Sequence, residues 1–184
     1  SRRVIGVKLG DGREIRCKRI VSNADPAVTF GRLIGREHLP AKLSKKLDRT
    51  TWSTSALSLF LAVDMDVRAA GLDSGNLWYS RTPDIDGMYS PPQDRVVDPR
   101  AGIPGLFLTT TTLKDPTKAA KNGHHTMESF AFVDWRAFSR WADSRFGSRP
   151  EGYAAMKREL TETMIGALDR LVPGLAQRVV FADL

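Results

Sequence analysis

The side chains that could do chemistry here are three histidines, one cysteine, a basic N-terminal ribbon and two apolar-aromatic runs. His38 stands alone, while His124 and His125 are adjacent. Neighbouring residues on a strand point to opposite faces, so that pair makes a poor metal chelate, and a polar loop running into a strand explains it as well. No metal site is expected. Cys17 sits among Arg16, Lys18 and Arg19, the cationic company of a reactive thiolate, but no histidine base lies near it in sequence. It reads as an incidental strand cysteine. Neither a dinucleotide fingerprint nor a P-loop can be fitted to the 15 glycines, so no phosphate cradle is visible. Trp78-Tyr79 and Leu106-Phe107-Leu108 suit either a packed core or the floor of a cavity for an apolar ligand. No catalytic acid or base can be named.

The elements that must position these residues follow from periodicity. Residues 4–9 and 13–22 flank Gly10-Asp11-Gly12 and predict a β-hairpin. The second strand alternates basic and apolar residues up to Ile20-Val21, where it is expected to enter a buried layer. Asp25 is a good helix N-cap and Pro26 a good first helical residue, so a helix should run to about Ile34. A second helix is expected over 40–48. Strands are expected over 54–64, 76–80, 105–112 and 126–133, with long loops at 82–104 and 114–125. A short helix should cover Trp135 to about Phe146. The clearest helix spans about Pro150 to Leu171, with Tyr153, Met156, Leu160, Met164, Leu168 and Leu171 forming one apolar stripe. A strand at Val179-Val180-Phe181 closes the order, which predicts an α+β fold with a largely antiparallel sheet. Both ends of the chain read as cut from a longer protein.

Composition sets the outer bounds. The 184 residues are 41% hydrophobic and 27% charged, which excludes a disordered tail. No run approaches the ~20 apolar residues of a spanning helix. The single cysteine excludes an internal disulfide framework and fits a reducing compartment, so a cytoplasmic location is expected, with peripheral membrane contact. The net charge of +7 is lopsided: residues 1–50 hold 13 Lys+Arg against 5 Asp+Glu, and the rest 15 against 16. Nucleic acid, an anionic membrane, or a phosphate-bearing cofactor or partner would each suit that asymmetry. The aromatics do not interleave with the basic ribbon, which argues against nucleic acid.

One resemblance covers nearly the whole chain. Gly6-Val7-Lys8-Leu9-Gly10-Asp11-Gly12-Arg13-Glu14-Ile15 followed by Ile20-Val21-Ser22-Asn23-Ala24-Asp25-Pro26 resembles the middle of the carotenoid phytoene desaturase-like flavoproteins, which include retinol saturases. In that family a hairpin leads to a strand ending in V-[VI]-S-N-A-D-P. Thr112-Leu113-Lys114-Asp115-Pro116 is similar to its S-L-K-D-P turn, and Gly123-His124-His125-Thr126 to its G-H-H loop. Asn76-Leu77-Trp78-Tyr79 precedes these, and Leu171-Val172-Pro173-Gly174-Leu175 resembles the V-P-G-L exit of a helix.

The resemblance implies an FAD-dependent oxidoreductase acting on an apolar, isoprenoid-like substrate by flavin hydride transfer. It implies that residues 26–184 form the substrate-binding domain, and that 1–25 are a hairpin and strand adjoining an FAD-binding domain. Ser22, Asn23, Ala24 and Asp25 would lie near FAD, with Asp25 also serving as helix cap. Trp78, Tyr79, Phe107 and His124 would line the substrate cavity. The family's glycine-rich Rossmann segment is missing from this sequence, so the chain alone is not expected to bind FAD. The competing reading is a non-catalytic module that docks on a membrane or partner through its basic hairpin.

Overall fold

A computed structural model describes residues 3–96, 102–115, 117 and 123–184. The chain divides into two compact units, Ser1–Trp52 and Ser53–Leu184. Parts of the predicted loops 82–104 and 114–125, including Pro116, lie outside the described residues.

In the first unit, β1 (Gly6–Lys8) pairs antiparallel with β2 (Glu14–Arg16). The turn between them forms because Asp11 accepts from the Arg13 backbone N–H at 3.0 Å and from Arg13 Nε at 2.6 Å. Gly12 takes φ 90°, which a side chain would resist. The predicted second strand is cut short, and its expected burial is corrected. Ile20 is 43% exposed and Val21 97% exposed, because no strand among the described residues pairs with them. The helix expected after Asp25 is present as a wide, π-type helix over Ala27–Gly35. A short 3₁₀ turn, Arg36–His38, leads to α1 (Ala41–Asp48), and Arg36 is ion-paired with Asp48.

The second unit is the expected α+β arrangement. Five strands, β3 (Ser55–Val63), β4 (Asn76–Ser80), β5 (Gly105–Thr110), β6 (His125–Val133) and β7 (Val179–Asp183), form one sheet in the order β4-β5-β6-β3-β7. Every neighbouring pair is antiparallel. Two one-turn helices, α2 (Ile85–Met88) and α3 (Thr111–Lys114), sit in the connections. Trp135–Trp141 is a 3₁₀ helix, shorter than expected. The long helix α4 spans Glu151–Leu171. Pro173 and Gly174 stop it, and Asp169 Oδ1 closes the exit by accepting from the Ala176 N–H at 2.8 Å.

Period two on the strands and 3.6 on the helix together make the core. Leu59, Leu61 and Val63 of β3, Leu106 and Leu108 of β5, and Met127 and Ala131 of β6 are buried on one sheet face. They cluster with Met164, Ala167 and Leu168 of α4 and with Val172 and Leu175 beyond it. Each fully buried Leu or Met there contributes roughly 1.5–3 kcal/mol of apolar burial. No helix among the described residues is long and apolar enough to cross a membrane.

Asp134 ends β6 and starts the 3₁₀ helix. It accepts from Arg136 Nε at 2.9 Å, Arg136 Nη2 at 2.6 Å and the Arg136 backbone N–H at 2.8 Å. The guanidinium bonds, then the backbone bond, hold its carboxyl down at about 2. A carboxyl depressed on folding stabilises the fold above its ordinary value and loses that contribution as pH falls through the folded value. The loss should fall between pH 3.8 and about 2, and Asp134→Asn should abolish it. An NMR titration that placed the Asp134 midpoint near the ordinary value would contradict this.

Candidate functional site

Helix α4 covers one face of the five-stranded sheet, and the other face carries most of the unit's rings. Cross-strand partners share a face, so register alone puts Trp78, Phe107 and Phe130 in one row across β4, β5 and β6. Their rings touch: Trp78 and Phe107 meet edge-on at 5.0 Å between centroids, and Phe107 stacks on Phe130 at 4.7 Å. Trp78 also meets Phe130 edge-on at 5.6 Å. Phe132 extends the surface along β6, 5.7 Å from Phe130, and Tyr89 packs on Phe132 at 4.7 Å.

The segment after β4 walls one end of this floor. Asp84 caps α2 by accepting from the Gly87 N–H at 3.0 Å, which delivers Met88 and Tyr89 to the sheet. Met88 lies against Gly105 of β5, the partner of Ser80 in β4. A Cβ at Gly105 would strike the Met88 methyl and stand 2.8 Å from the Tyr79 carbonyl oxygen, so glycine permits this closure. Trp78 is 58% exposed and Tyr89 52%. The face is therefore an open aromatic trough, an arrangement that stacks planar apolar ligands.

The residues singled out in the sequence separate on the structure. Trp78 and Phe107 stand together on the open face. Tyr79 belongs to the other face, opposite Leu106, and packs against the core, because alternate residues of β4 point oppositely. His124 precedes β6, half-buried, with Nδ1 3.8 Å from Asp64 Oδ1 and no hydrogen bond to that nitrogen among the described residues. His125 is held by Thr112, whose Oγ1 lies 2.9 Å from the His125 Nδ1. Among the described residues no group of three or more His, Cys, Asp or Glu could hold a metal ion. Phe130, Phe132, Met88 and Tyr89 were not singled out beforehand. For Phe130 and Phe132 the alternation within β6 was the one available signal, and it does not tell the open face from the covered one.

Ser22, Asn23, Ala24 and Asp25 lie in the first unit, in a turn that is tied to the helix after it. Ser22 Oγ and Thr29 Oγ1 are 2.7 Å apart, and Thr29 Oγ1 donates to the Ala24 carbonyl at 3.3 Å. Asp25 Oδ1 accepts from the Ala27 N–H at 2.7 Å, the capping geometry expected of it. The hydroxyl and carboxylate of the turn are thus spent on the turn itself. Asn23 is left exposed, with no hydrogen bond among the described residues.

A separate cavity of about 810 Å³ opens beside α4, lined by Arg95, Arg136, Arg140, Met156, Glu159 and Thr163 among others. Its cations are partly committed. Arg136 is paired with Asp134, and the Arg140 guanidinium lies 3.8 Å over the Trp141 ring. Its lining mixes charges of both signs with Val96, Met156 and Leu160, and it has no row of rings like that of the trough.

The chain is similar to plant prolycopene isomerases. It is 28% identical to the chloroplastic prolycopene isomerase of Arabidopsis thaliana over 98% of this chain and 27% of that protein. Identity to the chloroplastic enzyme of Daucus carota is 26%, over 98% of this chain and 26% of the relative. Prolycopene isomerase 1 of an Oncidium hybrid cultivar matches at 27%, again over 98% of the chain and 27% of the relative. The chain therefore spans about a quarter of the length of these relatives. No protein-family model matches it.

Proposed function

We propose that this chain is the substrate-binding portion of an FAD-dependent enzyme of the phytoene desaturase-related kind, and that the open aromatic face holds a polyene or isoprenoid chain. The observation that carries the reading is the in-register row Trp78–Phe107–Phe130, left open on a sheet whose other face holds the core. A conjugated chain is flat, apolar and polarisable, and it gains both burial and ring contact on such a floor. The names of the relatives fit a polyene substrate, since prolycopene is one.

In this reading the chain's own residues bind and orient the polyene and keep water from its covered side. Flavin, when bound, would supply or take the hydride equivalent. The Ser22–Asp25 turn would meet the cofactor through its exposed Asn23 and its backbone, since Ser22 and Asp25 are already engaged. We further place the protein in the cytoplasm at a membrane surface, where such a substrate dissolves. The basic first unit, with Ile20, Val21, Leu33 and Trp52 exposed, suits anionic headgroups.

The full-length protein should purify with, or take up, flavin and show absorbance near ~450 nm. A folded full-length protein that shows no flavin band after incubation with FAD would overturn the enzyme reading. It would favour instead the docking module, with the basic hairpin as its contact surface.

A further inference from the structure

We propose that a polar row beside the aromatic row reads a hydroxyl group on the ligand, so that the substrate class is a hydroxyl-bearing polyene or isoprenoid rather than a bare hydrocarbon. This rests on the reading of the open face as the ligand floor. Asn76, Thr109 and Glu128 are paired directly across β4, β5 and β6. They stand two positions along from Trp78, Phe107 and Phe130, hence on the same face and roughly 7 Å away.

The row presents the partners a hydroxyl needs. Lys114 Nζ donates to Asn76 Oδ1 at 2.6 Å, and an ammonium has two further hydrogens to give. The Glu128 carboxylate is half-buried and has neither ion pair nor hydrogen bond among the described residues. Thr109 is only 7% exposed, and its hydroxyl is buried without a hydrogen-bond partner among the described residues. Valine would fill that volume without stranding a polar atom, so the hydroxyl carries a cost that the free fold does not recover.

A hydrocarbon lying over this row would strip water from a carboxylate and an ammonium and return nothing. A ligand hydroxyl, which both donates and accepts, pairs with Glu128 as donor and with Lys114 as acceptor. Thr109 is directly opposite Glu128 on the same face. Its hydroxyl is placed to donate to that carboxylate when the ligand draws it inward.

Two probes test this in the full-length protein in detergent micelles: β-carotene, and zeaxanthin, which has the same conjugated skeleton and two added hydroxyls. Binding is read as saturable quenching of tryptophan fluorescence. The wild type should bind zeaxanthin at least about tenfold more tightly, as expected for hydrogen bonds to charged groups. Glu128→Gln and Thr109→Val should each bring the ratio to within about threefold by weakening zeaxanthin alone. Equal binding of both probes to the wild type, or equal weakening of both by the variants, would overturn the polar row and leave the aromatic floor standing. Saturable quenching by neither probe would overturn the floor, and this proposal with it.

Discussion

Phe107→Ala is expected to weaken polyene binding by about tenfold or more while the protein stays folded. Phe107 is the middle ring of the row, in contact with Trp78 at 5.0 Å and Phe130 at 4.7 Å. Removing it takes away its own ring surface and lets both neighbours tilt, so the loss exceeds one contact. Phe107 is only half-buried and faces away from the α4 core, so the cost to folding should stay below that of a core truncation. Phe181→Ala is the matching control. Phe181 lies on β7, at the sheet edge farthest from Trp78, and is 56% exposed. Its removal should change affinity less than about twofold. Equal affinities for wild type and Phe107→Ala would remove the row from the binding site.

Leu168→Ala should destabilise the protein by about 2–5 kcal/mol, read as a lowered urea midpoint with little change in slope. Leu168 has no exposed surface and clusters with Leu59, Leu61, Leu106, Leu108 and Met127 from three strands. A cavity there is walled by sheet on one side and by Met164 and Val172 on the other, so it cannot collapse cheaply. Phe60→Ala removes a larger side chain, but Phe60 is 49% exposed on the opposite face. It should cost clearly less. If the two substitutions cost the same, the assignment of a packed face and an open face would fail.

Much of the fold was legible in local patterns, because periodicity and caps are local physics. Asp25-Pro26 announces the helix over Ala27–Gly35, and the α4 stripe at Leu160, Met164 and Leu168 is buried as its spacing requires. The strand β4 falls on the five residues its pattern marks. Ile20-Val21 misled because an apolar dipeptide says nothing about whether a neighbouring strand exists to bury it.

The site was legible only in part. Trp78 and Phe107 could be singled out by type, yet their meeting depends on the β4–β5 register, which the sequence does not encode locally. Tyr79 was grouped with Trp78 as a sequence neighbour, and the two-residue period of a strand separates them. In β6, Phe130 and Phe132 alternate with Ser129, Ala131 and Val133. Both sets are apolar enough to be a core, so alternation alone could not say which one α4 covers. The polar row Asn76–Thr109–Glu128 draws one residue from each of three strands and leaves no linear trace.

The most direct test of the open face as ligand floor is photo-crosslinking of the full-length protein with a diazirine-bearing polyene, followed by mapping of the labelled residues. The account predicts label on Trp78, Phe107 and Phe130, and on Met88 or Tyr89 at the wall, suppressed by excess unlabelled polyene. Label concentrated instead on Met156, Glu159 or Thr163, in the cavity beside α4, would contradict it.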